Sequence, residues 1–477
     1  MEAGMTEAGI IFVVILVSCA GLLAGRKVHN PADFLTGGGK ASTLLTTGAF
    51  VGTILGSQCT IGTAQLAFTF GLSAWWFTLG SGLGLFILGL TCTRKLRESG
   101  HTTQFQIIAD EYGPSTRKAG AILSTIGTFI SVLAQVIACI GFIMTLYPAL
   151  SALEASALTV ILMCMYIVMG GTWGAGMAGI VKVILLYSTC MLSLVLVLSL
   201  GGGFSAAEEL LCSGKLGTAL THEQFAAQFL SMSARGALKD YGSCVSLVLG
   251  IMSTQTYMQF ILSAKGEREA RKSLMWAFVL VPPVGIAGVF VGLFMRGHYI
   301  LQAEAYVLSS AGIAVPDLPV IARTIQTFPM FIMNHVHPAL AGIMLGTLLV
   351  VVVSGSSGLL LGISAIITED IFSVRRHKLL FSRMTIVLTL ALAATIANIF
   401  PAQAINDLGF LSMTLRACVV FMPLMCALWL PGRVKSRNVL ASVILSPLAA
   451  VLSAVVGLPV EPLVVGMGVS VLLTLGV

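Results

Sequence analysis

The sequence predicts an all-α polytopic membrane protein with about thirteen transmembrane helices. Its 477 residues are 57% hydrophobic and only 9% charged, whereas an ordinary soluble domain carries about 25% charged residues. A soluble fold cannot cover its surface with so few charges. The second observation is that apolar segments recur between charged clusters along the whole chain, each close to the roughly 20 residues that a spanning helix needs.

Thirteen such segments are separated by polar or charged stretches. The first follows a start without Lys or Arg, whereas a cleaved secretory signal has a basic start, so we interpret it as a retained span. Two long loops follow the sixth and the eighth segments. The predicted spans are 10–25, 41–68, 73–93, 119–147, 153–170, 178–200, 241–263, 273–296, 338–366, 380–400, 405–430, 439–457 and 462–477.

The distribution of Lys and Arg predicts the orientation of the chain. With the N-terminus outside, 19 of the 26 basic residues fall in inner loops and five in outer loops. Inner loops of membrane proteins are enriched in Lys and Arg. We therefore expect a multi-pass protein of the cell membrane whose N-terminus faces outward. The formal net charge of +7 reflects this topology and not an affinity for nucleic acid.

Two glycine-rich polar stretches interrupt spans that lie five spans apart. They are GTILGSQCTIGTAQ at 52–65 in the second span and GIMSTQTYMQ at 250–259 in the seventh. An odd number of spans per half inverts the second half relative to the first, and paired interruptions of this kind mark the central site of many transporters. We predict an inverted repeat of two five-helix halves with broken first helices. The parts of the single domain 1–477 are an extra N-terminal span at 10–25, the halves 41–200 and 241–430, and two extra C-terminal spans within 439–477.

Glutamines within these stretches strengthen the prediction of a site. Small residues alone are also explained by close packing of neighbouring helices, and that alternative stays open for any single glycine. It does not explain why amide side chains lie at membrane depth. A third break is predicted at VSGSSG, residues 353–358, in the ninth span. The glutamines are Gln58, Gln65, Gln255 and Gln259.

Several motifs in consistent order resemble the sodium:solute symporter family. Each motif is loose, but their order along residues 10–430 is specific. The resemblance implies the five-plus-five inverted-repeat transporter fold. The matching stretches are KVHNPADFLTGGGK at 27–40, the broken helix at 49–71, GHTTQFQIIADEYGPSTRKAGA at 100–121, QFILSAKGEREARKS at 259–273 and SGSSGLLLGISAIITEDIF at 354–372.

The resemblance implies a sodium ion, the coupling ion, between the first and eighth core helices. Its ligands in the family are backbone carbonyls of the broken first helix and carbonyl and hydroxyl oxygens of the eighth, as a hard cation requires. The family usually has a second hydroxyl where this chain has Gly355, and either a nearby serine, Ser356 or Ser357, or a water molecule is expected to substitute. The implied ligands are Gly52, Leu55, Val351, Ser354 and Ser357.

The resemblance also implies a site for a small-molecule substrate beside the breaks. Sugar-transporting relatives often carry a longer polar group where Thr78 stands, so a sugar is not expected. Arg416 lies inside the eleventh span without an evident acidic partner, and a carboxylate or zwitterionic substrate would supply the missing counter-charge. The alternative is that Arg416 binds backbone carbonyls or snorkels. The implied lining residues are Ser57, Gln58, Cys59, Trp76, Thr78, Thr254, Gln255, Tyr257 and Arg416.

A second intramembrane cation, Lys182, lies near the start of the sixth span. By the resemblance it stands where the family usually has Gln, and Gly179 stands where sugar-transporting relatives carry an Asp close to sodium. One interpretation is a tethered cation near the ion site, which would make transport proton-coupled or independent of ions. The alternative is that the long side chain snorkels to the interface.

The sequence favours sodium-coupled symport by alternating access over two other classes of function. A membrane sensor that binds its ligand without moving it remains an alternative. An enzyme is not expected, because no catalytic constellation lies at one depth. The expected partners are a small solute and the lipid bilayer, with no nucleic acid, and the oligomeric state stays open.

Overall fold

The computed structural model describes residues 2–26, 31–167, 171–201, 203–215, 219–400, 405–458 and 460–476. Within these ranges the regular structure is almost entirely helical, and the two short strands, Ile300–Leu301 and Val320–Ile321, form one parallel pair. Residues 27–30 of the first family motif, 168–170 of the fifth predicted span and 477 of the last lie outside the described residues.

The helices of the N-terminal part coincide with the first six predicted spans. The second of these spans is divided between two helices by a 3₁₀ turn at Ser57–Cys59, and further 3₁₀ turns lie at Gly37–Gly39 and Gly71–Trp75. The helices are α1 (Glu2–Gly25), α2 (Pro31–Thr36), α3 (Thr43–Ile54), α4 (Ile61–Phe70), α5 (Trp76–Thr91), α6 (Thr93–Glu98), α7 (Gln104–Tyr112), α8 (Pro114–Leu146), α9 (Ala152–Ile167) and α10 (Gly171–Ser199).

In the C-terminal part, helices cover the residues of the remaining seven predicted spans, and both predicted long loops contain short helices. A 3₁₀ turn lies at Thr324–Gln326, and π-helical turns lie at Ala226–Leu230, Ile366–Ile371 and Ala417–Phe421. The helices are α11 (Gly203–Cys212), α12 (His222–Phe225), α13 (Ala237–Met252), α14 (Gln255–Ser263), α15 (Glu267–Leu280), α16 (Pro282–His298), α17 (Gln302–Ser310), α18 (Thr327–His335), α19 (Pro338–Ala365), α20 (Lys378–Ile399), α21 (Ile405–Arg416), α22 (Met422–Trp429), α23 (Ser436–Val456) and α24 (Pro462–Leu475).

The chain is a multi-pass membrane protein. In the described ranges, nine helices are long and apolar enough to cross a bilayer, and a tenth is added if the bent pair α13 and α14 counts as one span. Three other apolar helices, α3, α9 and α24, are shorter. Length and composition thus support nine or ten crossings, fewer than the thirteen predicted.

Two of the three predicted breaks are present and the third is absent. The chain leaves the helical conformation between α3 and α4, and it bends by 50° between α13 and α14. The predicted break at VSGSSG, residues 353–358, is wrong, because α19 continues through it. Its serine hydroxyls bond to carbonyls one turn earlier in the same helix, as Ser356 does to Val353 at 3.0 Å. Such back-bonding lets serine remain inside a helix.

Glycines bring α3 and α10 unusually close together. A Cβ added at Gly48 would lie 2.5 Å from the carbonyl oxygen of Gly176, and one at Gly179 would lie 2.1 Å from the carbonyl oxygen of Gly48. Small residues at helix contacts allow this approach in membrane proteins. Lys182 follows Gly179 by about one helical turn. The close contact between α10 and α3 therefore places the Lys182 side chain at the C-terminal end of α3.

Gly179→Ala is expected to destabilise the protein, because the added methyl group meets the backbone of α3. Overpacking of this kind costs about 1–3 kcal/mol. Gly468→Ala on α24 is the matched control, since a Cβ there meets nothing within 4 Å. The measurement is thermal unfolding in detergent. A melting temperature for Gly179→Ala equal to that of Gly468→Ala would contradict the close packing.

Candidate functional site

The polar residues of the first break pair with the backbone that the break exposes. The backbone N–H of Ser57 donates to Oε1 of Gln135 on α8 at 2.9 Å. The hydroxyl of Thr60 donates to the carbonyl of Gly56 at 3.1 Å. Non-helical backbone at membrane depth is tolerated only where protein or water satisfies its polar groups. The glycines of the 52–65 stretch therefore allow the helix to be interrupted. Its hydroxyl-bearing residues pair with backbone groups that the interruption exposes.

The carbonyls at the end of α3 bind the ammonium group of Lys182. Its Nζ donates to the carbonyl oxygens of Gly52 and Leu55, the latter at 3.0 Å, and to Oγ of Ser354 at 2.8 Å. The side chain is fully buried, with 1% of its surface exposed. The C-terminal end of a helix carries unpaired carbonyls and partial negative charge, so it favours a cation. Lys182 does not snorkel to an interface.

Three of the predicted sodium ligands thus surround one point, and Nζ of Lys182 occupies it. Ser354 reaches this point from α19, opposite the end of α3. The other two predicted ligands lie on α19 next to it. The carbonyl of Val351 accepts from the Ser354 hydroxyl at 3.4 Å, and the Ser357 hydroxyl donates to the carbonyl of Ser354 at 2.6 Å. Oxygens of this kind suit either an ammonium group or a sodium ion, and their assignment to sodium stays a prediction.

Gly355 lies where α19 packs against the first break. A Cβ at this position would lie 2.7 Å from Cα of Gly56 and about as close to the amide of Gln135. Any larger residue would push α19 away from the break. Gly355 therefore permits the close approach of α19 to the first break.

Arg416 is the second buried cation of the site. It is fully buried, and its guanidinium donates to neutral groups: Oγ1 of Thr254 at 2.7 Å, and the carbonyl and hydroxyl of Ser412, both at 3.1 Å. Within the described part of the chain, no carboxylate pairs with it. Thr254 lies at the second break, so Arg416 and Thr254 join α21 to that break.

A third polar cluster lies where α21 crosses the start of α4. The amide of Asn406 packs against Gly62, at which an added Cβ would be 2.2 Å from its Oδ1, and the Gln58 amide packs in the same way against Gly409. Among the described residues, the amide of Asn406 and the hydroxyl of Ser57 have no hydrogen-bond partner although they are buried. Buried polar groups are almost always paired, so these atoms are available to a ligand.

Two more predicted substrate residues, Tyr257 and Cys59, lie beside α3. Tyr257 is buried and stacks on Phe50 of α3, with ring centroids 6.2 Å apart. The thiol of Cys59 contacts the carbonyl of Ile54 at 3.1 Å. Both residues therefore lie along the broken helix.

Two predicted substrate residues on α5 are engaged elsewhere. The indole N–H of Trp76 donates to the carbonyl of Met232 at 2.6 Å, and the Thr78 hydroxyl contacts the carbonyl of Pro282 at 3.3 Å. These bonds fasten α5 to neighbouring segments. The structure does not bring Trp76 or Thr78 into contact with Arg416.

Gln255 fastens the second break to the start of α7. Its Oε1 accepts from the backbone N–H of Gln104 at 2.9 Å and its Nε2 donates to the carbonyl of Thr102 at 3.0 Å. Gln104 returns a bond to the carbonyl of Ser253 at 3.0 Å. At the opposite end of the site, Gln65 of α4 donates to the hydroxyl of Thr324 at 3.1 Å. Two of the predicted glutamines thus join α14 to the segment before α7, and α4 to Thr324.

Sequence reasoning missed Gln135 and Asn406. Gln135 is the single amide in the 33-residue helix α8, and that contrast with its apolar surroundings was a usable signal. Asn406 follows the start of a span and gives no such signal. Gln259 was predicted, and its buried amide has no partner among the described residues.

The fold is that of membrane transporters with interrupted helices. The substrate-bound, outward-open structure of a Na+-coupled sialic acid symporter matches with a TM-score of 0.72 at 15% identity, over 99% of this chain and 97% of that one. A nucleobase-cation-symport-1 family transporter, closed with bromovinylhydantoin bound, matches with a TM-score of 0.53 at 11% identity, over 93% and 94%.

A profile of the sodium:solute symporter family matches residues 34–456. The chain belongs to this family. It is therefore a membrane transporter and not an enzyme, and sodium is the coupling ion of its family. The predicted family resemblance is confirmed.

Ser354→Ala is expected to lower stability in sodium-free buffer, because it removes one of three acceptors from a buried ammonium group. A hydrogen bond to a charged group contributes about 1.5–3 kcal/mol. Ser356→Ala is the matched control, since its hydroxyl bonds only within α19. Thermal unfolding in detergent measures both. Equal melting temperatures for the two variants would show that Ser354 does not bind Lys182.

Proposed function

We propose that the protein is a sodium-coupled symporter of a small organic carboxylate or zwitterion and works by alternating access. The observation that carries the substrate class is Arg416. A buried guanidinium surrounded by neutral groups lacks a counter-charge, and charges at membrane depth are costly and mark substrate or ion pathways. A substrate carboxylate would supply the missing charge and accept two parallel hydrogen bonds from the guanidinium.

The unpaired polar groups near the first break support a substrate that carries a second polar group, at the end opposite its carboxylate. Asn406 and Ser57 offer a buried amide and a buried hydroxyl, and Gln58 lies beside them. A small solute with a carboxylate at one end and an amine, amide or hydroxyl at the other would pair with both clusters. We therefore propose that the substrate lies between the two breaks, with its acid toward Arg416.

The two ends of the site are the proposed gates. One end is held by Gln255 against the segment before α7, and the other by Gln65 against Thr324. Opening one set of bonds while the other stays closed would expose the site to one side of the membrane at a time. Substrate and sodium would favour the closed state by their higher affinity for it.

We also propose the finer topology that the sequence predicts. Thirteen helices would comprise the span 10–25, the inverted halves 41–200 and 241–430, and two spans within 439–477, with the N-terminus outside. The matching interruptions, between α3 and α4 and between α13 and α14, support the repeat. The excess of Lys and Arg in the inner loops supports the orientation.

Uptake into proteoliposomes tests this function. An imposed inward sodium gradient should drive accumulation of a radiolabelled solute drawn from a panel of small carboxylic and amino acids, and a potassium gradient should not. The uncharged amides of the same solutes should compete weakly. Accumulation driven by a pH gradient and not by sodium would contradict sodium coupling, and amides that compete as well as acids would contradict the substrate class.

Arg416→Gln is expected to lose affinity for the acid while the protein remains folded. Removing one partner of a buried charge pair costs about 2–5 kcal/mol, so the half-saturation concentration should rise at least about 30-fold. Arg94→Gln is the matched control, because Arg94 is exposed and pairs only with Glu98 one turn later. Uptake of the acid and competition by its amide are measured for both. An unchanged preference for the acid in Arg416→Gln would make Arg416 structural.

A further inference from the structure

The ammonium group of Lys182 has the coordination that a bound cation would have. Its three N–H donors are matched by three oxygen acceptors, two carbonyls from α3 and the hydroxyl of Ser354 on α19. A lysine has three such donors and no acceptor. The group is therefore fully satisfied, and it joins α3, α10 and α19 at one point.

These three oxygens belong to residues that the family resemblance assigns to sodium. An ion bound to Gly52, Leu55 and Ser354 would lie at the position of the Lys182 nitrogen. A sodium ion and the Lys182 ammonium group cannot bind these three oxygens at the same time, because the two positive charges would lie very close together and repel each other. The close contact of Gly179 with Gly48 fixes the backbone from which Lys182 reaches the cluster.

We propose that Lys182 is a built-in cation of the ion site and that its ammonium group and a sodium ion bind there in turn, never together. In the sodium-free protein, Lys182 holds the end of α3 against α19, as a bound ion would. Sodium enters this cluster only after the lysine side chain has left it. The proposal rests on the proposed function only for the identity of the competing ion.

A direct consequence is that Lys182 weakens sodium binding at this cluster. The apparent affinity of a site falls by the fraction of time for which the site is available. Removing the ammonium group should therefore tighten sodium binding. Lys182→Met removes the charge and the donors, keeps a side chain of similar length and adds no oxygen ligand, so any gain comes from the vacated oxygens.

The test is equilibrium binding of radioactive ²²Na+ to the purified protein in detergent. Lys182→Met is expected to bind sodium with a half-saturation concentration at least about tenfold lower than that of the wild type, as for a site that the lysine fills for nine-tenths of the time. Lys118→Met, at an exposed position of α8, is the matched control and should bind like the wild type.

A second variant tests whether the tighter sodium binding of Lys182→Met occurs at this cluster. Adding Ser354→Ala to Lys182→Met should reverse the tightening, because it removes an oxygen of the cluster. If Lys182→Met fails to fold, Lys182→Gln keeps an N–H donor for the α3 carbonyls and is measured in the same way. Sodium binding by Lys182→Met or Lys182→Gln that is no tighter than that of the wild type would overturn the proposal.

The experiment separates this proposal from the proposed function. Binding is measured without substrate and without transport. If sodium fails to drive uptake but Lys182→Met gains sodium binding, the competition stands and sodium-coupled symport falls. If sodium drives uptake but Lys182→Met binds sodium as the wild type does, symport stands and the competition falls.

Discussion

The pairing of the Lys182 ammonium group with the open end of α3 is the interaction on which the site depends. An unsatisfied backbone group in the bilayer core costs several kcal/mol, and a charge at the bilayer centre costs at least about 2.5–3.5 kcal/mol. Here each compensates the other, because the freed carbonyls of Gly52 and Leu55 accept from the buried ammonium. The break and the buried lysine therefore stabilise each other.

Other features of the fold serve this contact. Glycines on α3 and α10 let the two helices approach, Gly355 lets α19 lie against the break, and Gln135 seals the N–H of Ser57. Their chemistry is ordinary: small residues permit proximity, and amides replace lost backbone bonds. As a result, α3, α10 and α19 meet at one point. Alternating access would have to rearrange the break that follows α3.

A single cation at this point has a clear electrostatic reason. Two unit charges about 3 Å apart repel by roughly 5 kcal/mol at an effective dielectric constant near 20. The three oxygens of this cluster are already used by the ammonium group. A second cation at this point would lack free ligands as well as meet this repulsion.

The sequence predicted the membrane class and both true breaks and singled out both intramembrane cations, because charges, amides and glycines in apolar spans stand out against their surroundings. It left open whether Lys182 snorkels, and the structure shows this side chain buried. It did not predict that VSGSSG would remain helical, since a serine back-bond is invisible without the helix that accepts it. The roles of Trp76 and Thr78 at the substrate stay predictions from the resemblance, and the sequence did not predict their hydrogen bonds to Met232 and Pro282. Asn406 packs against the first break although it is distant from it in the sequence. Such a contact can be predicted only when the packing of the helices is known.

The most direct measurement is a pair of electron cryo-microscopy structures of the wild type, one in sodium-free buffer and one at saturating sodium. We expect the Lys182 ammonium group among the oxygens of Gly52, Leu55 and Ser354 in the first structure. In the second we expect an ion bound to these oxygens, with the lysine side chain turned away. An ion bound to these oxygens while the Lys182 ammonium group still contacts them would contradict alternate binding of the two cations.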